Sequence, residues 1–138
     1  MKILFKTSMA LMLACVLSAC GLLSVLDTKK FMLEPFSDVQ SLRLYTYKSE
    51  EIHLSKEQKD AIVIEMSERL KSPWNTYFGK ASSQCMVLEV KDNGYSRHFN
   101  IFEMGVEVMT GGHGGALSMA HLAPDSILRK LHQESKCD

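Results

Sequence analysis

The sequence predicts an α+β fold, a small two-layer sandwich in which an antiparallel sheet of four to five strands carries two helices on one face. Three observations lead to this prediction. Consecutive segments alternate apolar and polar residues, the dipeptide Asn93-Gly94 lies between two such segments, and two other segments repeat apolar residues at helical spacing. Because strands joined by hairpins form antiparallel sheets, and helices bury an apolar stripe against a sheet face, these elements favour two packed layers.

The first predicted strand lies in the segment SLRLYTYK, residues 41–48. One set of its alternating positions is Leu42, Leu44 and Thr46, and the other set is Arg43, Tyr45 and Tyr47. Such alternation is typical of a strand with one buried face. We therefore expect the folded domain to begin near residue 40.

A helix is predicted between Ser55 and Pro73. The Ser55 side chain can accept a hydrogen bond from the free amides at the helix start, and Gln58, three residues later, completes a capping-box pattern. The apolar residues that recur at helical spacing are Ile62, Val63, Met66 and Leu70. This stripe predicts packing on the sheet, and the proline ends the helix.

The strongest local signal is a hairpin around Asn93-Gly94, which suits a two-residue type I′ turn. That turn sets the register, with the pairs Asp92 and Tyr95, Val90 and Arg97, Leu88 and Phe99, and Met86 and Ile101. One face of the hairpin is then apolar and belongs against the helix. The opposite face places Glu89 across from His98, an arrangement that predicts a cross-strand charge pair.

The remainder of the chain predicts two more strands around the loop GGHGG, and then a short helix. Four glycines surround His113 in this loop, as is typical of a hairpin tip. In the final helix, Pro124 fits the first turn. The apolar face of this helix consists of Ile127, Leu128 and Leu131.

The N-terminus has the character of an export signal. Lys2 and Lys6 give it a positive start, an apolar run follows, and small residues precede Cys20. The residues Leu17-Ser18-Ala19-Cys20 resemble the lipobox of bacterial lipoproteins. This resemblance implies that residues 1–19 are a removable signal peptide and that Cys20 carries the lipid.

We accordingly expect three regions: a signal peptide over 1–19, a lipidated N-terminus and tether over 20–39, and a single α+β domain over 40–138. The resemblance implies a membrane attachment through the N-terminal lipid, because two or three acyl chains hold a protein at a bilayer almost permanently. Gly21 resembles the pattern that permits transport to the outer membrane. The expected location is the cell envelope, at the outer membrane and facing the periplasm.

Charge and cysteine content restrict the interpretation further. Loss of Lys2 and Lys6 leaves 14 basic against 16 acidic side chains, a formal charge of −2, which gives no electrostatic reason to bind nucleic acid. With Cys20 lipidated, Cys85 and Cys137 are left as a pair in an oxidising compartment. They are predicted to form a disulfide, the alternative being two free thiols.

The segment SPWNTYFGKASS, residues 72–83, joins the first helix to the hairpin and contains three large aromatic residues. Trp74, Tyr77 and Phe78 either form a recognition patch or cover one end of the core, and the second interpretation is favoured. Together with His113 they are the candidate partner-binding residues. His113, His98 and His121 are an alternative metal-binding set, although no HxxxH or CxxC spacing supports it and no metal or other cofactor is predicted.

The sequence offers no nucleophile elbow and no paired carboxylates with a reason for divergent pKa values, so we do not expect an enzyme. The favoured function is a membrane-anchored, non-catalytic protein-binding lipoprotein of the periplasm, of inhibitor or immunity type. The first alternative is a structural or assembly accessory of the cell envelope. The second alternative is a small-ligand or metal-binding lipoprotein.

Overall fold

A seven-stranded antiparallel sheet with two helices of eight residues or more is seen in the computed structural model, which describes residues 30–78, 86–109 and 116–135; residues 30–32 are also helical. The strands are β1 (Val39–Thr46), β2 (Glu51–Ile52), β3 (Asn75–Phe78), β4 (Met86–Asp92), β5 (Tyr95–Ile101), β6 (Gly105–Met109) and β7 (Ala116–His121). The helices are α1 (Lys56–Lys71) and α2 (Ile127–Glu134). The predicted α+β class with an antiparallel sheet is confirmed. The strand number exceeds the prediction because β2 and β3 are short strands that have no clear alternation.

The strands lie in the order β2-β1-β4-β5-β6-β7-β3. The four strands β4 to β7 form a meander in the middle of the sheet, with β1 on one side and β3 on the other. Both outermost strands are short, since β2 has two residues and β3 has four. The segment after α1 therefore adds a strand to the sheet, where the sequence predicted a connection.

The β4–β5 hairpin has the predicted register, including Glu89 opposite His98. Asn93 and Gly94 have φ values of 49° and 82°, as a type I′ turn requires. At this position glycine supplies the left-handed conformation without a steric penalty. The sequence thus determined this hairpin locally, without information from the rest of the fold.

One hydrophobic core joins both helices to one sheet face. Its fully buried side chains include Ile62 and Met66 of α1, Leu128 of α2, and Leu44, Met86, Leu88, Phe99, Ile101, Val106 and Val108 of the sheet. Burying each such side chain contributes roughly 1.5–3 kcal/mol. The apolar faces predicted for α1 and for the hairpin are therefore the faces that meet in the core.

The two helices begin with different caps. At α1 the predicted capping box is present, since the Gln58 amide donates to Ser55 Oγ at 3.2 Å and the Ser55 amide donates to Gln58 Oε1 at 2.8 Å. Helix α2 begins at Ile127, so the prediction that Pro124 lies in its first turn is wrong. Ser126 is the N-cap because its hydroxyl accepts a hydrogen bond from the Arg129 amide at 3.1 Å.

Residues assigned to the tether also pack on the domain. Met32, Leu33 and Phe36 contact the core, and the ring of Phe36 meets that of Phe99 edge-on with 6.3 Å between centroids. The folded part of the chain consequently reaches at least to Met32, several residues before the first strand.

A buried ion pair holds this N-terminal segment in place. Arg97 donates to Asp92 at 2.8 Å, and the Arg97 and Asp92 side chains are 4% and 7% exposed. Asp92 also accepts hydrogen bonds from the amides of Ser37 at 3.0 Å and Asp38 at 2.6 Å. Since the pair belongs to the β4–β5 hairpin, it joins residues 37 and 38 to the middle of the sheet. We call Asp92 and Arg97 the latch.

Arg97 binds the same segment a second time. Its guanidinium donates to the carbonyl oxygens of Met32 and Glu34 and lies 4.6 Å from the ring centroid of Phe36. Burial lowers the pKa of the Arg97 guanidinium, and the adjacent negative charge of Asp92 opposes that shift. The latch thus satisfies its own charges and fixes the backbone of residues 32–38.

Candidate functional site

The outer edge of β1 is covered by a neighbouring strand over part of its length. Strand β2 pairs with Leu44 and Tyr45 alone. The preceding part of β1, from Val39 to Arg43, pairs with β4 on its inner side, and no described residue forms a strand on its outer side. This half of β1 is therefore an open sheet edge.

The hydrogen bonds near β2 show which backbone groups face the open side. The Thr46 amide donates to the Glu50 carbonyl at 2.9 Å, so the polar backbone groups of Thr46 face β2. Because successive residues of a strand direct these groups to opposite sides, Leu44 and Leu42 face the same side as Thr46. Strand β2 covers Leu44. The N–H and C=O of Leu42 lie beyond the end of β2 and face outward.

A groove runs between this open edge and α1, with a volume of about 440 Å³. Strand β1 contributes Val39, Gln40, Ser41 and Leu42 to its walls, and α1 contributes Lys59, Asp60, Val63 and Ile64. Ile64 is 62% exposed, although it is a large apolar residue on a helix that packs on a core. The groove thus combines apolar side chains with unpaired backbone groups, and charged residues lie at its rim. We call it the edge groove.

A β-bulge marks one end of the edge groove. The register between β1 and β4 shifts between Val39 and Ser41, which leaves Gln40 as the extra residue. The Gln40 side chain accepts a hydrogen bond from the Gly94 amide at 3.1 Å. The regular part of the open edge therefore starts at Ser41. The Gln40 bond attaches the N-terminal end of this edge to the hairpin turn.

Chemically, such an edge can accept an additional strand. An extended segment of another chain would pair with the free backbone groups of β1, and its alternate side chains would enter the groove beside Val63 and Ile64. Nothing in the sequence indicates this site. Alternation in residues 41–48 indicates a strand, but it carries no information on which neighbours that strand has.

Trp74 lies at the end of the core and is 8% exposed. Its indole N–H donates to the carbonyl of Arg69, in the last turn of α1, at 2.9 Å. Both observations agree with the interpretation that Trp74 covers the core, and they leave little of its surface for a partner. Covering the core is also the interpretation that the sequence favours for this residue.

The other sequence-predicted site residues are placed in part or not at all. The backbones of Tyr77 and Phe78 belong to β3 and pair with Leu117 and Ala116 of β7. His113 lies outside the described residues, and so do Cys20, Cys85 and Cys137. A partner-binding role for Tyr77, Phe78 and His113, the lipidation and the disulfide therefore stay predictions.

The predicted cross-strand pair is present on the sheet face opposite the helices. His98 Nε2 lies 3.0 Å from Glu89 Oε2, and the two side chains are 56% and 27% exposed. Exposed pairs of this kind contribute about 0.2–1 kcal/mol to stability. Neither residue lines a described cleft, which fits a structural pair.

A histidine metal site finds little support in the register. His121 aligns with Gly105, which places it level with the end of β5, whereas His98 lies in the middle of β5, two strands away. Strand spacing and rise then separate their Cα atoms by roughly 16 Å, too far for both side chains to bind one ion. Within residues 30–78, 86–109 and 116–135, no group of three or more His, Cys, Asp or Glu side chains could hold a metal.

Sequence reasoning also missed a buried acid. Glu107 is fully buried, yet in β6 it alternates with the core residues Val106 and Val108 and so lies on the opposite sheet face. Gly105 on that face is buried as well. The pattern Val-Glu-Val indicates a strand with one solvent-exposed face. Nothing in the sequence therefore distinguishes this buried carboxylate from an exposed one.

Comparison with protein-family models, with curated proteins and with solved structures finds no match to this chain. In the part of the chain that the structure describes, no helix is both long enough and apolar enough to cross a bilayer. The edge groove and the lipobox resemblance are therefore the observations on which a function can be based.

Proposed function

We propose that this protein is a membrane-anchored lipoprotein of the periplasm that binds a segment of another protein without catalysing a reaction. The observation that carries the binding function is the open edge of β1 at Leu42, beside the apolar residues of the edge groove. An exposed strand edge with an adjacent groove is a recurrent way to bind an extended polypeptide.

The edge groove favours a protein segment over other ligands. A polypeptide in extended conformation presents an N–H and a C=O at the spacing that the free groups of Leu42 require. Ile64 and Val63 offer apolar contact for its side chains. The formal charge of −2 on the mature chain gives no attraction for nucleic acid.

The anchor is proposed from the lipobox resemblance at Leu17-Ser18-Ala19-Cys20, with Gly21 favouring the outer membrane. Because Val39 follows the latched segment directly, the edge groove lies within a short chain distance of the lipid. Binding would therefore take place close to the membrane surface.

Within this class we favour an inhibitor or immunity protein, whose partner is a soluble toxin or hydrolase. Such a partner is recovered as a soluble one-to-one complex, and its gene lies beside the gene of the lipoprotein. An assembly accessory of the envelope would instead copurify with membrane complexes. The identity of the bound partner separates these two functions.

Photo-crosslinking in cells tests the binding site. A photoreactive phenylalanine replaces Ile64 in the full chain, and the matched control carries it at Tyr47, an exposed position that does not line the edge groove. We expect a discrete covalent adduct with one protein from Ile64 and none from Tyr47. Adducts of equal yield at both positions, or none at Ile64, would contradict the proposed site.

Ile64→Glu then tests the groove chemically. Ile64 is 62% exposed, so this substitution should change the free energy of unfolding by less than about 0.5 kcal/mol. A charge in the apolar groove should weaken the complex with the crosslinked partner at least tenfold. Unchanged affinity in a folded variant would exclude the groove as the binding surface.

A further inference from the structure

Two exposed aromatic side chains meet at the turn end of the β4–β5 hairpin. Phe31 and Tyr95 pack edge to face, with 5.6 Å between ring centroids and 88° between ring planes. Phe31 is 41% exposed and Tyr95 is 61% exposed, whereas Phe99, farther along the same strand as Tyr95, is fully buried. Because the two rings touch, they form one contiguous exposed apolar patch, and such patches mark candidate contact sites, whereas a single exposed ring such as Tyr47 does not.

The latch gives this aromatic pair a fixed place. Arg97 donates to the carbonyls of Met32 and Glu34, directly after Phe31, and Arg97 lies two residues after Tyr95. Phe31 is therefore held against the hairpin by bonds on its C-terminal side. The pair belongs to the folded domain and moves with it.

Chain length places the same end of the domain next to the proposed anchor. Phe31 is eleven residues after Cys20, and eleven residues span at most roughly 36–40 Å when fully extended. Tyr47 lies beyond the opposite end of β1, whose eight residues add about 26 Å. Of the two ends of the sheet, the end with Phe31 and Tyr95 is thus the one that the chain from Cys20 reaches first.

Among the residues that the structure describes, the exposed charges near the pair balance each other. Lys30 and Lys91 are exposed at this end, and so are Glu34 and Asp38. These four residues therefore carry no net charge that would attract an anionic surface. Aromatic rings favour the headgroup region of a bilayer independently of charge, because an apolar ring and a polar tip suit that boundary.

We propose that the turn end of the hairpin rests on the bilayer surface, with Phe31 and Tyr95 seated in the headgroup region. This inference rests on the proposed lipid anchor at Cys20. It orients the sheet with its β4–β5 turn toward the membrane and its β1–β2 turn, with Tyr47, away from it.

Tryptophan quenching tests the orientation in the lipidated full-length mature protein. Tyr95→Trp and the control Tyr47→Trp are reconstituted in vesicles of phosphatidylcholine with brominated acyl chains, a quencher that acts at short range. Wild-type protein, with Trp74 alone, gives the baseline. We expect Tyr95→Trp to lose at least half of its added fluorescence and Tyr47→Trp to lose less than a tenth. Added phosphatidylglycerol should not change this result.

Phe31→Trp is a second reporter in case the Tyr95 variant fails to fold. Equal quenching at Tyr47 and Tyr95, or none at either Phe31 or Tyr95, would overturn the orientation. Mass spectrometry of the mature N-terminus and vesicle flotation of wild type and Cys20→Ser test the anchor separately. A lipidated protein that floats but shows no quenching refutes the orientation alone, whereas an unlipidated protein refutes the anchor and the orientation together.

Discussion

At the scale of single residues, the latch is the most consequential interaction in the described structure. Asp92 and Arg97 are both buried, and each also binds the backbone of residues 32–38. A buried ion pair adds little net stability by itself, because desolvation offsets the attraction. Removing one partner is costly, since the other charge is then buried without compensation.

We therefore expect Asp92→Asn to lower the free energy of unfolding by about 3 kcal/mol. The amide keeps an acceptor for the Ser37 and Asp38 amides but no longer neutralises Arg97. Urea denaturation measures the change, with Asp60→Asn, an exposed carboxylate on α1, as the control. A loss in Asp92→Asn no larger than in the control would show that the ion pair is not required for stability.

A second residue-scale prediction concerns pH. Burial lowers the pKa of His132, with ordinary value 6.5, and the negative charge of Glu103 opposes the shift. Between the ordinary and the lowered pKa, the unfolded state binds more protons than the folded state. The free energy of unfolding contributed by His132 therefore falls as the pH drops below about 6.5.

His132→Gln should reduce this pH dependence. Urea unfolding at pH 7.5 and pH 5.5 gives the stability difference for wild type and variant, and all other ionisable groups are common to both proteins. We expect the free energy of unfolding to differ less between the two pH values in the variant than in wild type. An identical difference would mean that burial does not shift the pKa of His132.

The sequence predicted some of these residue-level features and not others. The type I′ turn and the pairing of Glu89 with His98 follow from one dipeptide and period-two geometry, so local information sufficed. The latch could not be predicted from the sequence. Arg97 occupies a core-facing position that alone looks unfavourable, and its partners around residue 34 lie more than 60 residues away in the chain.

At the scale of elements, the two helices are connected by a carboxylate. Glu65 of α1 accepts a hydrogen bond from the Ile127 amide at 2.9 Å and another from the Ser126 hydroxyl. An acid at a helix N-terminus satisfies a free amide and interacts favourably with the helix dipole. The start of α2 thus depends on a residue of α1.

Glu65→Ala should therefore lower the free energy of unfolding by about 1–2 kcal/mol. Glu68→Ala, an exposed carboxylate in the next turn of α1, is the matched control and should cost less than about 0.5 kcal/mol. Hydrogen exchange gives the location of the effect, because the first amides of α2 should exchange faster in Glu65→Ala alone. Equal costs for the two variants would contradict the cap.

Sequence reasoning identified α1 from its caps and stripe but placed the start of α2 too early. The Ser55 box lies within four residues. The Ser126 cap of α2 is local too, but it has no capping box, and the Ile127 amide is bound by Glu65, about 60 residues distant. Strand β3 was missed for a similar reason. Its four residues carry no decisive alternation, and their pairing with β7 is a long-range interaction.

At the scale of the whole molecule, the predicted disulfide would link the start of β4 to the C-terminus. Cys85 directly precedes Met86, and Cys137 is three residues after the end of α2. Closing a loop of this length contributes about 4 kcal/mol in the chain-entropy estimate.

We expect peptide mapping under non-reducing conditions to recover Cys85 and Cys137 in one bridged species. Cys137→Ser should then lower the free energy of unfolding by about 4 kcal/mol. Reduced wild type is the control, since it should match the variant. Two free thiols in protein isolated from the periplasm would exclude the bridge.

The overall architecture followed from the sequence, and the candidate site did not. Alternation and helical spacing act within each segment, so they predicted an antiparallel sheet with helices packed on it. The order β2-β1-β4 depends on which segments meet, and the open edge at Leu42 exists because β2 is two residues long. To predict the site from the sequence, one would have to know that β2 is too short to cover Leu42.

The latch also has a mechanical consequence if the proposed lipid anchor holds the protein by its N-terminus. Tension from the proposed anchor would reach residues 32–38 before β1, and the latch would transfer that load into β4 and β5. Force is thus distributed over the central strands of the sheet. The edge of β1, where a partner is proposed to bind, would then carry less of the tension from the proposed anchor.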